Sequence, residues 1–206
     1  MPLNLPENFA DAAAALVAGE LVVFPTETFY AIGADPMQPN ALAAILQLKG
    51  RESGKPIALI AADRLSAFAI AREIPASAGV LAEKFWPGPL TIIVKAASRL
   101  PLKVTANTGN VALRVPAAKI PLAVVKAAAI PITATSANLS GASECTTAEQ
   151  VRDQLQDRIS IIVDGGTSPR EVASTIVDLS DEESRWRVIR EGAIPAQEIS
   201  AFFAQG

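Results

Sequence analysis

Short apolar runs alternate along the chain with longer segments in which apolar residues recur at helical spacing. Asn8-Phe9-Ala10-Asp11 through Val17-Ala18-Gly19 has a capping residue at one end and a glycine at the other, which predicts a short alanine-rich helix. Leu21-Val22-Val23-Phe24 then predicts a buried strand. Residues 40–48 repeat the capped-helix pattern from Asn40, with Gly50 as the stop, and Ile57-Ala58-Leu59-Ile60 predicts the next strand. Helical stretches follow around 65–72 and over 76–85, with strands at 90–94, 111–115 and 132–135 and a helix over 121–129 before the last of these. The final third predicts a helix at 147–156, strands at 159–163, 175–179 and 186–189, and a short closing helix near 197–203.

This alternation predicts an α/β fold with helical cover, and strands separated only by loops, as near Leu90 and Val111, predict some antiparallel pairs in a mixed sheet. No repeat, charge block or low-complexity linker divides the 206 residues, so one domain over 1–206 is expected. No apolar run approaches the ~20 residues of a spanning helix. The first residues, Met1-Pro2-Leu3-Asn4-Leu5-Pro6-Glu7, lack the basic segment and apolar core of a secretory signal. A soluble, cytoplasmic protein without a membrane partner is the expectation. A single cysteine, Cys145, excludes an intrachain disulfide, and the absence of histidine removes the usual neutral-pH base and the histidine-activated nucleophiles. Catalysis must then rest on positioning, carboxylates, lysines, hydroxyls or a bound metal. A net charge of −3 and 5% aromatic residues argue against a broadly cationic surface with stacking platforms for nucleic acid.

Several segments carry candidate chemistry. Pro25-Thr26-Glu27-Thr28 follows a strand directly, where its hydroxyls and carboxylate can hold a small polar ligand or simply cap a turn. Lys49-Gly50-Arg51, with Lys55 beyond, gathers three cations that suit a triphosphate or offset the negative end of a helix. Phe85-Trp86-Pro87-Gly88-Pro89-Leu90-Thr91 reads as a rigid corner that shapes a pocket wall. Arg114, inside Val111-Ala112-Leu113-Arg114-Val115-Pro116, requires an anion, either a ligand carboxylate or an Asp or Glu of the fold. Pro131-Ile132-Thr133-Ala134-Thr135-Ser136-Ala137-Asn138-Leu139-Ser140-Gly141 runs a buried strand into small hydrogen-bonding residues suited to phosphate or ribose, or to a polar turn. Asp164-Gly165-Gly166-Thr167 reads as a tight turn, while Ser174-Thr175 and Arg190-Glu191-Gly192 sit at strand ends.

Taken in order, these segments resemble the YrdC/TsaC/Sua5 family, whose members carry Pro-Thr-Glu-Thr, Lys-x-Arg, Trp-Pro-Gly-Pro-Leu-Thr, Arg-x-Pro, Ser-Ala-Asn-x-Ser-Gly, and late Ser-Thr and Arg-x-Gly elements. The match runs from Val22 to Gly192, and the length is similar to the short single-domain members. The resemblance implies a twisted mixed parallel/antiparallel sheet flanked by helices, with a large concave cavity. It also implies threonylcarbamoyl-AMP synthase activity, a nucleotidyl transfer from ATP. L-Threonine, bicarbonate or CO₂, and ATP would give threonylcarbamoyl-adenylate and pyrophosphate for threonylcarbamoyladenosine at position 37 of tRNA. The threonine amine captures bicarbonate or CO₂, and the carbamate oxygen attacks the α-phosphorus. Carried over residue by residue, Lys49 and Arg51 are the catalytic pair, facing the phosphates and the carbamoyl group. Thr26, Thr28, Arg114 and Ser174 face threonine. Lys55, Asn110, Ser136, Asn138, Ser140 and Arg190 join Lys49 and Arg51 on the nucleotide. Mg²⁺ accompanies the ATP phosphates without a direct protein ligand. The product passes to a tRNA threonylcarbamoyl transferase complex, with tRNA contact here weak or absent.

Three positions depart from the family pattern. Tyr30-Ala31-Ile32-Gly33 replaces Tyr-Gly-Leu-Gly, Glu144-Cys145-Thr146 replaces Ser-Pro-Thr, and Ile60 or Ala61 stands where some relatives have a histidine. The alternatives are an RNA-binding module, a carbamoyl-adenylate-forming paralogue that needs no threonine, and a scaffold without catalysis.

Overall fold

In the computed structural model the described residues are 9–49, 56–169, 172–181 and 186–204. Their elements are α1 (Ala10–Val17), β1 (Val22–Pro25), β2 (Tyr30–Gly33), α2 (Pro39–Leu48), β3 (Leu59–Ile60), α3 (Arg64–Phe68), α4 (Ala76–Phe85), β4 (Leu90–Lys95), α5 (Leu102–Thr105), β5 (Asn110–Arg114), α6 (Lys119–Ala128), β6 (Ile132–Thr133), β7 (Thr135–Ser136), α7 (Ala148–Leu155), β8 (Ile161–Ile162), β9 (Thr175–Asp178), β10 (Arg187–Arg190) and α8 (Ala196–Ala204). The strands form a smaller sheet in the order β7-β2-β1-β8 and a larger one in the order β10-β9-β4-β5-β3-β6. Both are mixed: β1 pairs antiparallel with β2 and parallel with β8, and β4 pairs antiparallel with β5 and parallel with β9. The expected mixed α/β architecture is therefore present, its strands divided between two hydrogen-bonded sheets.

Period-two alternation explains why the smaller sheet reads as continuous apolar sequence. Val23 of β1 and Tyr30 and Ile32 of β2 enter a core shared with Leu59, Leu90, Ile92, Leu113 and Val177 of the larger sheet. Val22 and Phe24 point the other way, into a second core with Leu16 of α1 and Val124 and Val125 of α6. Both faces are covered, so no polar alternation is needed. The stretch predicted as one strand over 132–135 is two. Ile132 and Thr133 pair with β3, and after Ala134 the chain changes sheet so that Thr135 and Ser136 pair with β2.

Other boundaries shift for local reasons. Helix α2 begins at Pro39, whose fixed φ and missing N–H suit the first helical turn, so Asn40 lies inside the helix rather than capping it. The helix expected around 65–72 ends at Phe68, and Ala71 bridges to Ala96 instead. Thr147 does cap α7, accepting from Gln150 N–H at 3.3 Å. The expected cap at Asn8 and stop at Gly50 lie outside the described residues. Among the described residues no helix is long and apolar enough to cross a membrane.

Candidate active site

The hairpin of β1 and β2 leaves four residues, Thr26 to Phe29, at the end of the smaller sheet. Thr26 organises them. Its hydroxyl donates to Phe29 O at 2.6 Å, lies 3.1 Å from the Thr28 hydroxyl, and accepts from Thr28 and Phe29 amides. This is the local cap that hydroxyls adopt in turns, and it orders the loop that carries Glu27.

Antiparallel pairing of β2 with β7 runs the chain after Ser136 back beside that turn, with Ala137 N–H on Tyr30 O at 2.7 Å. Lys49, at the C-terminal end of α2, reaches this segment. Its ammonium, on a residue only 7% exposed, faces Ser136 O at 2.9 Å, Ser136 Oγ at 3.1 Å, Asn138 O at 3.0 Å and Asn138 Oδ1 at 2.5 Å. The Asn138 amide nitrogen donates to Leu139 O and Ala142 O, which curls the loop holding exposed Ser140. Burial pushes the Cys145 thiol up, while the Lys49 charge works in the opposite direction. Cys145 thus lies within the field of the ammonium and stays a thiol.

Register gathers the second group at one end of the larger sheet. Ile60 pairs with Arg114, Leu90 with Thr175 and Ile176 with Arg190, which places the C-terminal ends of β3, β5 and β10 beside the N-terminal ends of β4 and β9. The Ser174 hydroxyl lies 2.9 Å from that of Thr91, and the Arg190 guanidinium donates to Ser174 O at 2.7 and 3.2 Å and to Ser174 Oγ at 3.3 Å. Arg114 Nε donates to Gly88 O at 2.9 Å, so the corner after α4 orients it. Burial, and secondly the like charge of Arg190, lower the Arg114 pKa to about 10.

The two groups meet through an ion pair: Arg114 Nη2 faces Glu27 Oε1. Of the anions left open for Arg114 by sequence, the fold supplies its own carboxylate. The structure thus assembles Thr26, Thr28 and Glu27 with Arg114, Ser174 and Arg190, and joins Lys49 to Ser136 and Asn138. It does not bring Asn110 to them. Asn110 starts β5, four residues and ~13 Å from Arg114 at strand rise, and pairs with Lys95 at the opposite end of the sheet. Arg51 and Lys55 lie outside the described residues. Sequence reading left out Glu27 and Thr91 as site residues, though each stands inside a motif it singled out.

The Sua5–YciO–YrdC family model, described as telomere recombination, matches residues 14–192. A threonylcarbamoyl-AMP synthase of Pyrococcus abyssi is 37% identical over 91% of this chain and 55% of its own length. A putative threonylcarbamoyl-AMP synthase of Mycobacterium tuberculosis is 34% identical over 97% of this chain and 90% of its own. The crystal structure of P. abyssi Sua5 complexed with L-threonine superposes with a TM-score of 0.87 at 36% identity, covering 94% of this chain and 56% of that one. The chain therefore spans little more than half the length of the archaeal relative and nearly all of the mycobacterial one.

Proposed function

The chain belongs to the Sua5–YciO–YrdC family, and on that premise we propose that it is a threonylcarbamoyl-AMP synthase. In this reading it is a nucleotidyltransferase that joins L-threonine, bicarbonate or CO₂, and ATP, releases pyrophosphate, and supplies tRNA modification through a separate transferase complex. One observation carries the reading. Buried Lys49, far in sequence from half-buried Ser136 and buried Asn138, is held by both at the sheet end beside the Thr26–Phe29 turn. The threonine carboxylate, bicarbonate and the ATP phosphates all carry negative charge, and a site that gathers them works chiefly by fixing their geometry and opposing their repulsion. The threonine amine takes up CO₂ as a carbamate; a carbamate oxygen then bonds to the α-phosphorus as the bond to pyrophosphate breaks. In this reading Lys49 lowers the energy of charge on the phosphates, Arg114 faces the amino acid and Arg190 the nucleotide.

Mg²⁺ belongs to this reading only as the companion of the ATP phosphates. Among the described residues no group of three His, Cys, Asp or Glu side chains could hold a metal ion.

The test is pyrophosphate release from ATP with Mg²⁺, with L-threonine and bicarbonate omitted in turn. Release that requires both is the expected result. Release that needs neither, or no release under any condition, rejects the synthase reading, and a salt titration of RNA binding would then test the nucleic-acid alternative.

A further inference from the structure

Helix α7 carries two glutamines one turn apart, and both reach back to the loop that follows β7. Its apolar face, Ala148, Val151 and Leu155, is buried, and positions 150 and 154 are neighbours on its surface. Gln150 closes the start of its own helix. The Thr147 hydroxyl accepts from the Gln150 amide, and Gln150 Oε1 accepts from the Thr146 amide at 2.7 Å and hydroxyl at 3.1 Å. That is helix capping. Gln154 does something else. It reaches fifteen residues back, where its Oε1 accepts from Leu139 N–H at 3.3 Å, and eleven residues back, where its Nε2 donates to Ser143 O at 2.9 Å.

The Leu139 N–H belongs to the same peptide group as the Asn138 carbonyl, and that carbonyl accepts from Lys49 Nζ at 3.0 Å. One peptide plane is therefore gripped at its oxygen by the buried ammonium and at its nitrogen by Gln154. Each contact polarises the amide in the sense that the other needs, so the two reinforce each other. Their direction is unique. Turning the Gln154 carboxamide over would set its NH₂ against the Leu139 N–H and its oxygen against Ser143 O. Turning the peptide over would point an N–H at the ammonium. The Asn138 side chain is tied to the same segment, its Nδ2 donating to Leu139 O at 3.1 Å and Ala142 O at 2.7 Å while its Oδ1 faces Lys49 at 2.5 Å. Both Asn138 oxygens that hold Lys49 thus depend on where this peptide stands.

We propose that Gln154 is a positioning residue of the reaction: by fixing the Asn138–Leu139 peptide with its carbonyl toward Lys49, it sets where the ammonium stands for the nucleotide. The inference rests on the proposed function for the task of Lys49, and it deepens that reading by extending the nucleotide side of the site to α7, a helix outside every motif singled out in the sequence. Gln154 itself touches no substrate in this role. It acts through the peptide and through Lys49.

Steady-state pyrophosphate release by the whole chain tests this with Gln154→Met, which keeps the length of the side chain and removes both hydrogen bonds, alone and combined with Lys49→Met. Alone, Gln154→Met is expected to lower kcat/KM for ATP about 10-fold, the scale of one hydrogen bond, and to leave KM for L-threonine within about twofold. Combined with Lys49→Met, the same substitution should change kcat/KM for ATP by less than about twofold, because the group it positions is gone. An equal loss in both backgrounds, or a matching rise in KM for L-threonine, overturns the inference and leaves Gln154 a brace of the fold. Unchanged kcat/KM in Gln154→Met overturns it as well. Amide hydrogen exchange at Leu139 in the wild type needs no variant to fold. Exchange slowed at least about 10-fold relative to an unbonded loop amide is expected, and exchange at the unbonded rate overturns the inference alone. A wild type that releases no pyrophosphate rejects the proposed function, and this inference falls with it.

Discussion

The Lys49 ammonium has three N–H bonds, and among the described residues Ser136 and Asn138 offer it four oxygens between 2.5 and 3.1 Å. Lys49→Ala leaves the buried oxygens of Asn138 without that donor, at a cost of ~1–3 kcal/mol in stability, and lowers turnover by at least ~100-fold, the scale of losing one preorganised electrostatic partner. Urea unfolding and pyrophosphate release read the two effects separately; unchanged turnover in a folded variant removes Lys49 from the mechanism. Tyr30 offers a test by titration, because it is the only tyrosine in the chain. Burial raises its pKa to about 12; the Gly165 amide pulls it down, and the charge of Asp164 adds to the rise. Between about pH 10 and about 12 the unfolded chain has lost this proton and the folded chain keeps it. The contribution of Tyr30 to stability is thus complete below about pH 10 and is lost as pH rises through about 12. Tyrosinate absorbance should show a midpoint near 12 in the folded protein and near the ordinary tyrosine value of 10.0 in urea, and Tyr30→Phe should abolish that part of the alkaline slope. Residue types in this site were legible in sequence, because a lone arginine in an apolar strand announces an anion. Which anion was not, since Glu27 meets Arg114 only after the hairpin turn and the larger sheet are built.

At the scale of elements, legibility followed length and periodicity. Six-residue β4 and capped α7 were plain in the sequence, whereas four-residue β2 was not, because Ala31 and Gly33 are weak strand formers and buried position rather than propensity places them. Helix α5, at four residues, is too short to display a helical period. The distance of Asn110 from Arg114 was hidden for a related reason: strand sequence shows which residues alternate, and not which of them share one end of the sheet with other strands. The contact between the segment after β10 and the start of β9 is a further tertiary feature, and it bears on the site directly. A Cβ on Gly192 would stand 2.1 Å from Ala173 O, 2.6 Å from Ser174 C and 2.7 Å from Thr175 N, all backbone atoms that no rotamer change can clear. Gly192→Ala must therefore separate the two segments, losing ~1–3 kcal/mol as overpacking does and displacing Ser174 from Thr91 and Arg190. The expected result is a lower urea midpoint together with reduced kcat/KM for L-threonine. A variant with wild-type values in both would show that this contact does not position the site.

For the whole molecule, the question is whether two sheets behave as one body. The chain crosses between them at Ala134, with Thr133 N–H on Ala34 O and Ala134 N–H on Ala58 O, both at 2.9 Å. One apolar core holds Val23, Tyr30 and Ile32 of the smaller sheet against Leu59, Leu90 and Leu113 of the larger. A site assembled from the ends of both sheets needs that continuity, because neither sheet alone carries both Glu27 and Arg114. Ile32→Ala removes a side chain that is 0% exposed and should cost ~2–5 kcal/mol. If the core is shared, the loss destabilises the larger sheet equally. Trp86 lies in that core and Trp186 packs against it, and the two are the only tryptophans of the chain. Tryptophan fluorescence and far-ultraviolet circular dichroism should then shift to the same lower urea midpoint in Ile32→Ala, within one transition. A fluorescence midpoint that stays at the wild-type value while the dichroism moves would mean that the smaller sheet unfolds on its own. Glu27 would then reach Arg114 only while the weaker of two units is folded.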